Sequence, residues 1–127
     1  MNSHDSVDPV TARAVDIFLA RLPMTRLPPI KRALLYGSRA RGDFHEDSDV
    51  DLAIVLQGAR PAAKSRLDLH FLLADAEWNA LDETELRVSA WPVWEDDLAN
   101  PERTLNPDFF QNMTKEGIEW KWQRHEA

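Results

Sequence analysis

Residues 34–56, LLYGSRARGDFHEDSDVDLAIVL, place a short polar segment between two apolar runs. The second run predicts a β-strand, and two aspartates, Asp49 and Asp51, stand at its start. Because side chains alternate along a strand, these two carboxylates should point the same way, with Cα atoms about 6.6 Å apart. Val50 and Leu52 should point to the opposite side and enter the core. The strand is therefore predicted to have one apolar face and, at its start, one acidic face.

The segment before the aspartates carries groups that suit a phosphate. Gly37 lets a backbone approach a phosphate closely, and Ser38 adds a hydroxyl and a turn whose N–H groups could bind an anion. Arg39 and Arg41 can neutralise further phosphate charge. The paired carboxylates would repel each other without a cation, and Mg²⁺ commonly binds one or two carboxylates together with substrate phosphates. These features predict a metal–nucleotide site suited to phosphoryl or nucleotidyl transfer.

Each of these features alone has an ordinary interpretation. An Asp-x-Asp pair is often part of an exposed turn, and a Gly-Ser pair after an apolar run is usually only a turn. The combination is more specific, because it joins a strand, Gly-Ser, ten residues, Asp-x-Asp and a second apolar strand. His45, between the two halves, is more simply interpreted as a solvated loop residue. A zinc site is not predicted, because no second histidine stands at ligand spacing from it.

The composition limits the remaining possibilities. The chain has 127 residues, which suits one domain. It has no cysteine, which excludes disulfides and thiolate metal sites and favours a reducing cytosol. Its net charge of -7 does not favour direct nucleic-acid binding. No apolar run approaches the roughly 20 residues that cross a bilayer, and the first residues lack a signal-peptide pattern. We therefore expect a cytoplasmic protein without membrane attachment.

The pattern along the chain predicts the order helix, strand, strand, helix, strand, helix. Such an order is typical of an α+β domain in which helices cover a small mixed sheet. Pro92 weakens the third strand or places it at a sheet edge. Residues 1–7 are expected to be disordered, and residues 95–127 to form a C-terminal extension with a short helix. The predicted elements are helix 8–22, strands 30–37, 50–56 and 85–94, helices 63–81 and 106–117, and a possible strand at 118–122.

Apolar stripes at helical spacing predict which sides of the helices face the core. In the first helix the stripe consists of Val10, Ala14, Ile17, Phe18 and Leu22. In the long helix it consists of Leu67, Phe71, Ala74, Trp78 and Leu81. Most of the five tryptophans are expected in the core, with one or two near the C-terminal end contacting a partner.

At this point the residues resemble a known family. Gly37-Ser38, ten residues and then Asp49-Val50-Asp51 match the GS-x10-DxD signature of nucleotidyltransferases related to DNA polymerase beta. The fuller string GSRARGDFHEDSDVDLAIV is similar to the minimal nucleotidyltransferases (MNT), small proteins often paired with a HEPN-domain protein. The resemblance implies a polymerase beta palm-like α+β fold and a single domain over residues 1–127.

The resemblance also implies a chemistry. Members use ATP or another nucleoside triphosphate with Mg²⁺, and the antitoxin members transfer AMP to a tyrosine hydroxyl of a HEPN ribonuclease toxin. The expected partner is thus a HEPN toxin, and ATP is the expected substrate. Carried onto this chain, the catalytic and metal-binding residues would be Asp49 and Asp51. The nucleotide-binding residues would be Gly37, Ser38, Arg39, Arg41 and Ser48.

One departure from the family pattern concerns a third carboxylate, which active members usually carry on the next strand. Here Ser89 stands at that place, and a hydroxyl supplies no charge. Glu85, on the same face of the predicted strand, is the nearest substitute; Asp82, Glu83 and residues 95–97 are poorer candidates. Two alternatives therefore stay open. The chain could be an antitoxin that acts by binding only, or a small-molecule nucleotidyltransferase, although it has no room for an additional substrate domain.

Overall fold

The computed structural model describes residues 6–121. The disorder predicted for residues 1–5 and the C-terminal end of the possible last strand, at Trp122, lie outside this range. Two short 3-10 turns connect the elements, at Met24–Arg26 and Pro101–Arg103. The helices are α1 (Pro9–Ala20), α2 (Ser38–Arg41), α3 (Ala63–Thr84), α4 (Glu95–Ala99) and α5 (Pro107–Glu116). The strands are β1 (Ile30–Tyr36), β2 (Val50–Leu56), β3 (Val88–Trp94) and β4 (Ile118–Glu119).

The four strands form one mixed sheet in the order β3-β2-β1-β4. β1 pairs antiparallel with β2 and with β4, whereas β2 and β3 are parallel. A parallel pair needs a long crossover connection, and α3 supplies it between β2 and β3. In the strand order, β3 lies at an edge of the sheet. Pro92 is tolerated there because no strand on the outer side needs the N–H that proline lacks. The structure confirms the predicted α+β class and the small mixed sheet.

The sheet has a fully covered face and a partly covered face. On the first, alternate β2 residues such as Val50, Leu52 and Ile54 join the main core beneath α1 and α3. On the second, Ala53 and Val55 join a smaller cluster beneath α5. The alternation predicted for β2 is thus present. Because α5 covers only part of the second face, the end of the sheet where β2 begins stays accessible.

The first helix has the predicted start and a partly different core side. The Asp8 side chain accepts a hydrogen bond from the Thr11 N–H at 3.0 Å and so caps α1. Ala14 and Phe18 are fully buried as predicted. Val10 is 48% exposed, so its assignment to the core was wrong. The side of α1 that faces the core includes Thr11, which is fully buried, and Val10 points away from it.

The core side predicted for the long helix α3 is wrong. Leu67, Phe71 and Trp78 are 56%, 70% and 64% exposed. The residues that face the core form a second stripe, Leu69, Leu73, Ala76 and Ala80. Both stripes recur at helical spacing, so periodicity cannot distinguish them. The small alanines of the second stripe let α3 approach α1 and β3 closely, and the crossover connection fixes that orientation.

The segment after residue 94 packs against the rest of the sheet and core. Met113 of α5 is buried, and β4 pairs with β1. Trp120 is 2% exposed, and its Nε1 donates a hydrogen bond to Asp16 Oδ1 at 2.8 Å. Trp94 is also buried, while Trp91 is half exposed. At the other end Val7 packs against the core, so residue 7 does not share the predicted disorder.

Helices that could cross a membrane are absent between residues 6 and 121, because none is both long and apolar enough.

Candidate active site

The two aspartates lie at the end of the sheet where β1 finishes and β2 and β3 begin. Asp51 is on β2, with its Cα opposite Tyr36 of β1 and Ser89 of β3. Its side chain is on the partly covered face, in the same alternation as Ala53. Asp49 immediately precedes β2 and is exposed. The carboxylates thus stand at the open end of an otherwise apolar sheet face.

Gly37 forms the turn against which Asp51 packs. Its φ is 75°, in the left-handed region that favours glycine. A Cβ atom built at Gly37 would collide with Asp51 Oδ2. Ser38 begins the short helix α2, whose first turn closes when the N–H groups of Ala40 and Arg41 donate to Gly37 O at 3.1 Å. Gly37 and Asp51, adjacent only by inference in the sequence, are therefore in direct contact in the fold.

The electrostatics of the pair favour a cation. The pKa of the Asp51 carboxyl is raised, first by burial and then by the negative charge of Asp49, while Arg41 opposes the shift. The pKa of Tyr36 is raised by burial and by the charge of Asp51. Tyr36 was not predicted as a neighbour of the site. The available signal was its position at the end of the strand that precedes Gly37.

Arg39 is used inside the protein. Its side chain is buried; Nε donates to Ser48 O at 2.8 Å, and Nη1 donates to Thr11 Oγ1 at 2.8 Å. Nη2 donates to the carbonyl oxygens of His45 and Glu46 at 3.3 and 3.0 Å. The guanidinium also lies 4.5 Å from the centre of the Phe44 ring. A residue predicted to contact phosphate thus holds the loop before Asp49 onto α1.

Ser48 belongs to the same loop structure. Its Oγ accepts a hydrogen bond from the His45 N–H at 2.8 Å, and the Ser48 N–H donates to His45 O at 3.0 Å. These two bonds close a tight turn directly before Asp49. Ser48 therefore shapes the approach to the acidic pair, and its predicted contact with a nucleotide remains untested.

Arg41 is the arginine of the motif that faces the solvent near the acidic pair. Its Nε donates to Asp43 Oδ2 at 3.2 Å and its Nη1 to Glu116 Oε2 at 3.1 Å. Both bonds raise its pKa. It is close enough to Asp51 to lower the pKa of that carboxyl. Since these ion pairs are exposed and weak, the side chain can be redirected towards a ligand.

The family of the chain follows from a comparison with family models. The model described as polymerase beta, nucleotidyltransferase, matches residues 24–119, which is well over half of the chain. The chain belongs to the polymerase beta nucleotidyltransferase family. The match includes α5 and β4, in agreement with their packing in the domain.

A solved structure supports the fold of this nucleotidyltransferase. It is that of a Sulfolobus solfataricus protein assigned to the nucleotidyltransferases, with 16% sequence identity and a TM-score of 0.53. The similarity covers 92% of this chain and 89% of that chain. No curated protein matches the sequence. The domain is thus shown by family and by fold to be of nucleotidyltransferase type.

The third carboxylate expected in an active nucleotidyltransferase is not at its usual place. Ser89 is the Cα partner of Asp51 on the parallel strand β3. The prediction that Glu85 lies on that strand is wrong. Glu85 ends α3 with a left-handed φ of 62°, and its N–H donates to Leu81 O. Asp82 and Glu83 lie within α3, and Glu95 begins α4 at the opposite end of β3. Across residues 6–121, no group of three or more His, Cys, Asp or Glu is arranged to hold a metal ion.

Proposed function

We propose that this nucleotidyltransferase domain transfers a nucleotide, AMP from ATP, to a hydroxyl of a HEPN ribonuclease toxin and so neutralises it. The observation that carries the transfer is the contact between the Gly37 turn and the Asp51 carboxylate, with Asp49 beside it. Phosphoryl and nucleotidyl transfers depend mainly on positioning and charge neutralisation, which such a site can supply. The choice of a HEPN toxin as acceptor rests on the resemblance of the motif to the antitoxin members of the family.

Mg²⁺ is the ion that the residues fit. Asp49 and Asp51 would hold it, because their mutual repulsion and the raised pKa of Asp51 mark a position where a positive charge is favourable. Two carboxylates without a third ligand group suit an ion that completes its coordination with water and substrate phosphates. When bound, Mg²⁺ would supply positive charge at this position and so offset the negative charge of the phosphates during transfer.

The remaining roles follow from position. The turn at Gly37 and Ser38 would seat the triphosphate beside Asp51. Residue 37 must be glycine for this, because a side chain there would displace Asp51. Arg41 would turn from Asp43 and Glu116 towards the phosphates. Arg39 and Ser48 would act indirectly, because their hydrogen bonds fix the loop that presents Asp49.

A second function is favoured by one specific observation. With Ser89 beside Asp51, the site lacks a side chain that could take the proton from an attacking hydroxyl at the usual place. The domain would then bind a Mg²⁺-nucleotide and neutralise its toxin by contact, without transfer. Both functions predict nucleotide binding, so they are distinguished by whether label is transferred.

The test is incubation of the protein with α-labelled ATP, Mg²⁺ and a HEPN toxin encoded next to it. Transfer predicts label on the toxin that disappears in the Asp49→Asn/Asp51→Asn double variant. Asp47→Asn is the matched control, because Asp47 is an exposed carboxylate in the adjacent loop. Inhibition of the toxin without label, retained in the double variant, would instead support neutralisation by binding. A result with no label on the toxin and no inhibition of it would reject both functions.

A further inference from the structure

The stripe wrongly predicted to be core leaves α3 with an exposed apolar surface. Leu67, Phe71, Ala74 and Trp78 recur at intervals of four, three and four residues, so they lie along one side of the helix. Three of them are more than half exposed. We call this set the α3 face. Side chains of this size exposed together on one surface indicate an interaction site.

The neighbouring edge of the sheet cannot readily accept a strand. The Ala90 N–H, which points away from β2, already donates to Glu77 Oε2 of α3 at 3.1 Å. Pro92, two residues further and therefore facing the same way, has no N–H. Such features protect edge strands from pairing with another chain. The occupant of the α3 face is thus not an added β-strand, whereas spacing of four and three residues matches the packing of a second helix.

A row of three aspartates determines the charge of that occupant. Asp68, Asp75 and Asp82 recur every seven residues along one side of the α3 face, and all three are exposed. Within residues 6–121 none of them has an ion-pair partner. From residue 67 to residue 84 the helix contains no lysine or arginine. In an antiparallel pair of identical helices, Asp68 of one copy would face Asp75 of the other, which disfavours a second copy of this chain.

On the opposite side of the α3 face lies a groove of about 310 Å³ between the helix and β3. It is lined by Ala74, Glu77, Trp78, Arg87 and Val88. A helix lying on α3 could place apolar side chains over Ala74, the smallest residue of the stripe, and into this groove. We propose that the α3 face binds an amphipathic helix of a partner protein, with its apolar side on Phe71 and Trp78 and basic side chains against the aspartate row.

This surface belongs to α3 and β3 and is separate from the Gly37 turn, so its test does not depend on nucleotide transfer. The probes are two synthetic helical peptides with leucines at the a and d positions of a heptad repeat, flanked by lysines in one and by glutamates in the other. Titrations of the whole protein, followed by calorimetry, should show the lysine peptide binding at least about tenfold more tightly, a difference of about 1.4 kcal/mol. The preference should weaken as salt is added.

Three variants locate the binding. Phe71→Glu should abolish binding of the lysine peptide, whereas Leu105→Glu, at an exposed apolar residue elsewhere, should not. The Asp68→Lys/Asp75→Lys/Asp82→Lys triple variant should reverse the preference between the peptides. Circular dichroism checks that each variant is folded. Equal affinity for the two peptides, or no binding, would overturn the proposal. So would a dimer of the free protein that Phe71→Glu dissociates, because the occupant would then be a second copy.

Discussion

Asp51 and Ser89 are Cα partners on the parallel strands β2 and β3, at the open end of the sheet. A carboxylate at residue 89 would therefore stand beside Asp51 and complete a group of three with Asp49. The position that departs from the family pattern is thus in the right place and lacks only the charged group.

Introducing that charge is the first prediction. Ser89→Asp should lower the stability of the metal-free protein by about 1 kcal/mol, because it adds like charge to an existing acidic pair. Mg²⁺ should restore the stability, and nucleotide transfer, if present, should increase. Thermal unfolding with and without Mg²⁺ measures the first effect. Ser89→Asn is the control without charge, and an Asp variant that Mg²⁺ does not stabilise would contradict the prediction.

The Gly37 turn gives a comparison between two glycines. Gly37→Ala should destabilise the protein by about 2–3 kcal/mol and weaken nucleotide binding, since its Cβ would displace Asp51 as well as strain a positive φ. Gly42 has a φ of 91° but no atom within 4 Å of a built Cβ, so Gly42→Ala should cost only about 1 kcal/mol of backbone strain. Urea unfolding measures both. Equal losses would mean that contact with Asp51 is unimportant.

Arg39 is predicted to matter for stability. Arg39→Gln removes hydrogen bonds to Thr11 and to the loop before Asp49, and should cost about 2–4 kcal/mol, in the range for a broken buried polar network. Arg60→Gln is a suitable control, because the exposed Arg60 makes one long ion pair, 3.8 Å, with Asp97 and should change the stability by less than about 0.5 kcal/mol. Equal losses of stability in the two variants, measured from their urea midpoints, would refute this role.

The acidic pair also predicts a dependence of stability on pH. Because the pKa of Asp51 is raised in the folded protein, the folded state binds this proton more tightly than the unfolded chain does. The free energy of unfolding should therefore fall as pH rises through the raised pKa, and the loss should be absent below the ordinary value of 3.8. Asp51→Asn has no such loss.

The stability of Asp51→Asn relative to the parent should thus increase between acidic and neutral pH. Denaturant unfolding of both proteins as a function of pH measures this difference. The pKa of Glu77 is also raised, mainly by burial, but both proteins contain this residue, so its effect cancels. Addition of Mg²⁺ should reduce the difference. A difference that does not change with pH would contradict the shift.

The parts of the fold and site that could be predicted from sequence are those fixed by local geometry. Alternation along β2 predicted that Val50 and Leu52 enter the main core, and the Gly-Ser pair marked the turn. The core side of α3 could not be predicted, because two apolar stripes have the same period and the crossover connection decides between them. The internal hydrogen bonds of Arg39 could not be predicted, because its contact with Thr11 depends on how α1 packs.

The hydrogen bond between Trp120 and Asp16 has a consequence for synthesis of the chain on the ribosome. Its two residues are 104 positions apart, and Trp120 also fills part of the main core. During translation, α1 and the first three strands must emerge well before the indole that completes their packing. Until then β1 lacks its neighbour on one side, which leaves a growing polypeptide with an unpaired edge that chaperones could recognise.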